Sequence, residues 1–200
     1  MKILLATRNA KKLIELQRIV DAAVAGTFEI VGMSDAPAYD EVPESGLTFA
    51  ENALIKAREG AAHTGLATVA DDSGLCVDVL NGMPGIFSAR WSGKHGDDGA
   101  NLDLVLAQIG DMPDTARGAA FVCSAALALP DGRSWTVDGT MAGHLTRAPR
   151  GTGGFGYDPI FVADGYDVTT AELTPEEKDA ISHRGKAFRG LVEVMRRELA

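Results

Sequence analysis

Asp71 and Asp72 stand side by side after the apolar run Ala67–Ala70, and Ser73 and Gly74 follow at once. Adjacent like charges repel, and the end of a strand near a core is a costly place for them. A metal ion would justify the pair, and so would a water molecule that must lose a proton. Hard oxygen ligands are what Mg²⁺ takes when it also holds substrate phosphates. Successive strand residues point to opposite faces, so one of the two leads the chemistry. Asp72, next to the Ser-Gly turn, is the better placed, with both acids expected to close a strand. Glu44 is a further acid in the polar loop VPESG. Glu51 reads as a capping residue.

Cations gather at two places. In TRNAKK, the residues Thr7, Arg8, Asn9, Ala10, Lys11 and Lys12 fall where a first strand passes into a first helix. A helix N-terminus is partly positive and prefers acidic neighbours. Three cations there are unfavourable unless an anion sits among them, and free backbone N–H groups already favour phosphate. The pattern is not a Walker loop, because G-x-x-x-x-G-K-[ST] is absent. In EEKDAISHRGK, the residues Lys178, His183, Arg184 and Lys186 cluster at the junction of two helices and form a donor set for carbonyl or phosphate oxygens. Between these lies GTGGFG, Gly151 to Gly156, beside Phe155, Tyr157 and Asp158. It matches G-x-G-x-x-G but runs into the strand-like PIFV, so it is not a dinucleotide fingerprint. Its glycines would let a ligand approach the backbone, and the two rings could face a base. Acids, two anion sites and an aromatic glycine loop together suit a magnesium-bound nucleoside triphosphate.

The elements that must position these groups are of mixed type. KILLAT reads as a strand and KKLIELQRIV as a helix with Leu13, Leu16 and Val20 inward. Thr48 and Glu51 form a capping-box pattern before a second helix that stops at Gly65. ATVAD and LCVDVL read as strands around the acid pair. Asp97 or Asp98 caps a third helix ending near Gly110. ARGAAFVCSAALAL and SWTVDGTMAG are strands joined by the turn PDGR. Thr174, Pro175 and Glu177 open a helix, and a last helix starts near Ser182 with Phe188, Leu191, Met195 and Leu199 on one face. Strand–helix units and a long hairpin argue for α/β, a mixed sheet with helices on its faces.

Two hundred residues with a net charge of -9 bound the function. A nucleic acid polymer is excluded, since its affinity rests on phosphate neutralisation. The longest apolar run, Ala119 to Leu129, is too short to span a bilayer, and the first residues carry no secretory signal. Cys76 and Cys123 lie in apolar segments and read as buried, reduced thiols of a cytoplasmic protein. A haloacid-type phosphatase would need D-x-D-x-T, which DDSG does not supply. A nucleotide sensor would not need the acids.

The chain resembles the noncanonical purine nucleoside triphosphate pyrophosphatases, the inosine/xanthosine triphosphate pyrophosphatase family. The resemblance rests on TRNAKK, SGLTFAENALIKA, VADDSGL, GMPGIFSARWSG, GTGGFGYDPIF and ELTPEEKDAISHRGKA, in that order along nearly the whole chain. It implies a single α/β domain, 1–200, with an elongated mixed sheet and two lobes around a central nucleotide cleft, usually a homodimer. It implies Mg²⁺-dependent hydrolysis of inosine, deoxyinosine and xanthosine triphosphates to monophosphate and pyrophosphate, clearing them from the nucleotide pool. By the same resemblance, Asp72 is the proton acceptor and a metal ligand with Glu44. Thr7, Asn9 and Lys12 match the phosphate segment, and Ser73 a substrate contact. Phe155, Gly156, Tyr157, Asp158, Lys178, His183 and Arg184 match nucleotide-binding positions. Arg8 stands where family members often carry Gly.

Overall fold

The computed structural model of the chain describes residues 1–7, 10–24, 27–40 and 42–199. Six strands form one sheet: β1 (Lys2–Leu5), β2 (Glu29–Val31), β3 (Ala67–Val77), β4 (Gly118–Ala128), β5 (Ser134–Leu145) and β6 (Phe161–Ala163). Their order is β2-β1-β3-β4-β5-β6. β1 runs parallel to β2 and to β3, with Ile3 opposite Ile30 and Leu4 opposite Thr68. β5 and β6 are antiparallel, so the sheet is mixed, as expected. The helices are α1 (Ala10–Val24), α2 (Phe49–Thr64), α3 (Asp98–Gln108), α4 (Pro175–Ile181) and α5 (His183–Leu199). Among the described residues no helix is long and apolar enough to cross a membrane.

The chain divides into two compact units. The first comprises Met1–Asp72, Cys123–Gly139 and Arg184–Ala200, the second Ser73–Val122 and Thr140–His183. In the first unit the period of two decides which helix meets which face. Ala67, Val69, Cys123, Ala125 and Leu127 pack with Leu16, Ile19 and Val20 of α1 and Phe188, Leu191 and Met195 of α5. The alternate residues Ala70, Ala126 and Ala128 pack with Ala53, Ala57 and Ala61 of α2. Those three alanines recur every fourth residue, so one stripe of α2 is small enough to lie close on the sheet. In the second unit Leu75 and Val77 join Leu102 and Val105 of α3 and Ile109 just after it, around Tyr157, Ile160 and Phe161.

The helix ends follow the sequence signals. Thr48 Oγ1 accepts from Glu51 N at 3.2 Å, and Gly65 closes α2 at φ 69°. The Glu51 carboxylate accepts from Leu47 N at 2.6 Å, one residue earlier than a full capping box requires. Around Thr174 the box is complete: Thr174 Oγ1 accepts from Glu177 N, and Glu177 Oε2 accepts from Thr174 N at 2.9 Å. Asp97 caps α3 by accepting from Ala100 N.

Three expectations about elements change, and one strand, β2, is not expected from the sequence at all. β3 runs unbroken through the acid pair, so Asp71 and Asp72 lie inside a strand and do not end one. The tail of LCVDVL turns into a 3-10 segment, Asp78–Leu80. Pro159 sits in another, Asp158–Ile160, because it has no N–H to give a ladder; the strand begins only at Phe161. β2 has three residues, too few for a periodic signal, and exists through its pairing with β1. Both thiols are free. Cys123 is buried, and burial pushes its pKa well above the ordinary range, while Cys76 is only half-buried.

Candidate active site

Asp72 points toward α2. Asn52, 0 % exposed, donates from Nδ2 to Asp72 Oδ2 at 3.1 Å. One turn on, the Lys56 ammonium lies 2.7 Å from Glu44 Oε1 and 3.6 Å from Asp72 Oδ1. Two acids 28 positions apart in the sequence thus meet at one cation. Burial pushes the Asp72 carboxyl above the usual range; Lys56 pulls it back and the Glu44 charge pushes it up again, leaving it raised. A carboxylate with a raised pKa is the better proton acceptor. Lys56 would lose its charge through burial, but Asp72, Asp71 and Glu44 hold it ionised with a raised pKa.

Asp71, 3 % exposed, points the other way, toward α1 and α5. Its Oδ2 lies 2.9 Å from Lys12 Nζ and 3.4 Å from Arg184 Nε, and Arg184 Nη1 reaches Glu15 Oε2 at 2.8 Å. Burial alone would raise the Asp71 pKa, but Lys12, Arg184 and Lys56 outweigh it and hold the carboxyl well below the usual range. Asp71 is therefore a permanent counter-ion, and of the two neighbours only Asp72 is suited to take a proton. Lys12 stands in the first turn of α1 and carries its ammonium back to β3. Thr7, half-buried, ends the strand exit that leads to it. Arg8 and Asn9 lie outside the described residues, and of Ala10 and Lys11 only the helical backbone is described. Ser73, half-buried, continues β3 into the second unit.

In the second unit the glycine loop is built around Asp158. Its carboxylate accepts from Phe155 N at 2.8 Å, from Thr170 Oγ1 at 2.8 Å and from the Lys178 ammonium. Gly154 has φ 69°, and a Cβ there would strike the same carboxylate. Lys178 Nζ also stands 5.4 Å from the centroid of the half-buried Phe155 ring, a cation–π contact. Gly156 N donates to Asp98 Oδ2 at 2.9 Å. Phe155, Asp158 and Lys178 are thus one group. Tyr157 departs from the expectation of an exposed ring: it is 4 % exposed in the core, and its hydroxyl donates to Ser88 O at 2.8 Å. His183 is buried and stacks on Phe121, ring centroids 4.9 Å apart. Arg184 falls in the first unit, in the Asp71–Glu15 network.

The Ham1 family model matches residues 3–194. The chain belongs to the Ham1 family. It is 62% identical over 196 residues to the dITP/XTP pyrophosphatase of Streptomyces coelicolor, covering 98% of this chain and 97% of that one. It is 59% identical over 196 residues to the dITP/XTP pyrophosphatase of Mycobacteroides abscessus, covering 98% and 95%. A Ham1 protein structure from Coxiella burnetii superposes with a TM-score of 0.89 at 40% identity, over 98% of this chain and 99% of that one.

In this Ham1 chain the described residues hold no group of three or more His, Cys, Asp and Glu side chains that would cage a metal by themselves. Glu44 and Asp72 sharing one ammonium are instead a pair. A pair suits Mg²⁺, which takes one or two carboxylates, keeps water and completes its shell with substrate phosphates. Lys56, Asn52 and Glu15 were not singled out by the sequence. Their signal was weak: Asn52 and Lys56 are i and i+4 on α2, so they share a face, but nothing local says that this face meets Asp72.

Proposed function

We propose that the chain hydrolyses noncanonical purine nucleoside triphosphates, those of inosine, deoxyinosine and xanthosine, to the monophosphate and pyrophosphate, with Mg²⁺ held by Glu44 and Asp72. One observation carries the reading. Two carboxylates share the Lys56 ammonium, and one of them, Asp72, keeps a raised pKa while its neighbour Asp71 is held ionised. Membership of the Ham1 family and the names of the two bacterial relatives support it.

In this mechanism Asp72 takes the proton of the attacking water. The water oxygen bonds to the α-phosphorus, the bridging bond to the β-phosphate oxygen breaks, and its electron pair leaves with pyrophosphate. Bound Mg²⁺ supplies charge neutralisation on the phosphates and on that leaving group. Lys12, Lys11, Arg8, Asn9, Ala10 and Thr7 serve the phosphates with the backbone at the start of α1, and Ser73 adds a contact beside Asp72. The base falls to Phe155 and Gly156 with Tyr157 and Asp158 as their support, and to the donors Lys178, His183 and Arg184. Hypoxanthine and xanthine present a carbonyl at position 6, where adenine presents an amino group. Buried donors reject the wrong partner by roughly 10⁴-fold or more. The whole chain, 1–200, serves this one activity, as a cytoplasmic homodimer that binds neither nucleic acid polymer nor membrane.

Product identity tests the reading. Inosine triphosphate with Mg²⁺ should give inosine monophosphate and pyrophosphate by phosphorus NMR, and adenosine triphosphate far less. Orthophosphate as the first product, or no turnover, would refute it.

A further inference from the structure

We propose that Asn52 is the positioning residue of the acid pair: one amide side chain fixes which oxygen Asp72 presents and ties the Glu44 loop to it. Asn52 is fully buried in the second turn of α2. Its Oδ1 accepts from Gly46 N at 2.8 Å, two residues beyond Glu44. That bond sets the orientation of the amide, because only the oxygen can accept from an N–H. The Nδ2 side must then face Asp72, where it donates to Oδ2 at 3.1 Å. With Oδ2 engaged, Oδ1 is the oxygen turned toward Lys56 and Glu44. The loop can come this close because residue 46 is glycine: a Cβ there would lie 2.7 Å from Asn52 Oδ1 and 2.9 Å from Asn52 N. One side chain therefore spans the two segments that carry the acids, and Lys56 closes the arrangement one turn away.

The inference rests on the reading that Asp72 accepts the proton and binds metal with Glu44. Partners that orient a ligand from behind are worth roughly 10–100-fold in activity or metal affinity. Asn52→Ala removes both bonds. Asn52→Asp keeps the shape and the acceptor for Gly46 N, but sets a like charge where Asp72 needs a donor. In folded protein, confirmed by circular dichroism and thermal unfolding, both variants should lose kcat on inosine triphosphate by roughly 10–100-fold, with KM little changed. Mn²⁺ binding without nucleotide, followed by electron paramagnetic resonance, should weaken in Asn52→Ala. A merely structural role would lower Tm and leave kcat per folded molecule intact. Either kcat or Mn²⁺ affinity within about twofold of wild type in folded Asn52→Ala overturns the inference; should that variant not fold, an unchanged kcat in Asn52→Asp does so. Asp72→Asn separates the two levels. Normal turnover there overturns the reading of Asp72 itself, and the inference with it. A dead Asp72→Asn beside normal Asn52 variants overturns the inference alone.

Discussion

Two identical side chains in consecutive positions have opposite electrostatics. Asp71 pairs with Lys12 and Arg184, whereas Asp72 faces Lys56 with Glu44 beside it, so the charges around the two buried carboxylates hold one pKa low and leave the other raised. Asp72→Asn should lower hydrolysis by about 10²-fold or more, since general-base catalysis contributes roughly 10²–10⁴. It should also raise Tm at pH 7 in the absence of metal. A group whose folded pKa is raised destabilises the fold above that pKa, and the substitution removes the penalty. Normal turnover or a lowered Tm would count against these assignments. Arg184 carries the reverse expectation. Arg184→Ala leaves Asp71 and Glu15 buried without their shared guanidinium, and breaking such a pair costs about 3–5 kcal/mol. Urea unfolding should show a loss of that size; a loss within error would mean that the network is not stabilising.

At the scale of elements, the site groups depend on where short segments can approach one another. The glycine loop can wrap the Asp158 carboxylate only because residue 154 lacks a Cβ and accepts φ 69°. Gly154→Ala should cost about 1–2 kcal/mol in the left-handed region, with a further loss from the contact with Asp158. Its effect on turnover should fall on KM for inosine triphosphate more than on kcat, because the loop carries Phe155 and not the acids. Steady-state kinetics would show this, and a fall in kcat alone would place the loop in the chemical step. Helix α2 shows the same dependence in another form. Its alanine stripe lies on the sheet, and Asn52 and Lys56 arrive at Asp72 as a consequence.

For the molecule as a whole, Asp71 ties folding to pH. Its folded pKa lies below the unfolded value of about 3.9. Its contribution is therefore complete above about pH 4 and lost as the pH falls through the folded value. Asp71→Asn should be less stable than wild type at pH 7 and should lose less stability between pH 4 and pH 2. Parallel acid-unfolding curves for the two proteins would refute this. The net charge of -9 sets a second demand. A triphosphate meets a repulsive molecule, so its charge has to be neutralised locally, and the cations already stand beside acids that fix them.

The sequence by itself determined what is local. Caps at Thr48, Asp97 and Thr174, the period of α1 and α5, the turn after Leu129 and the chemical inventory of acids, cations and glycines are all properties of neighbours in the chain. It also determined that Asp71 and Asp72 would face opposite ways, because alternation follows from the strand itself. The sequence also favoured Asp72 over Asp71, but only tertiary structure decided what surrounds each: Lys12 and Arg184 reach Asp71 across 59 and 113 positions. Tyr157 and Phe155 are both aromatic and two apart, and only the packing of the second unit buries one and leaves the other beside Lys178. Asn52 and Lys56 stayed silent for the same reason. A polar residue on a helix face has no assignable role until the strand it packs against is known, and strand β3 brings Asp72 to that face only when the sheet is assembled.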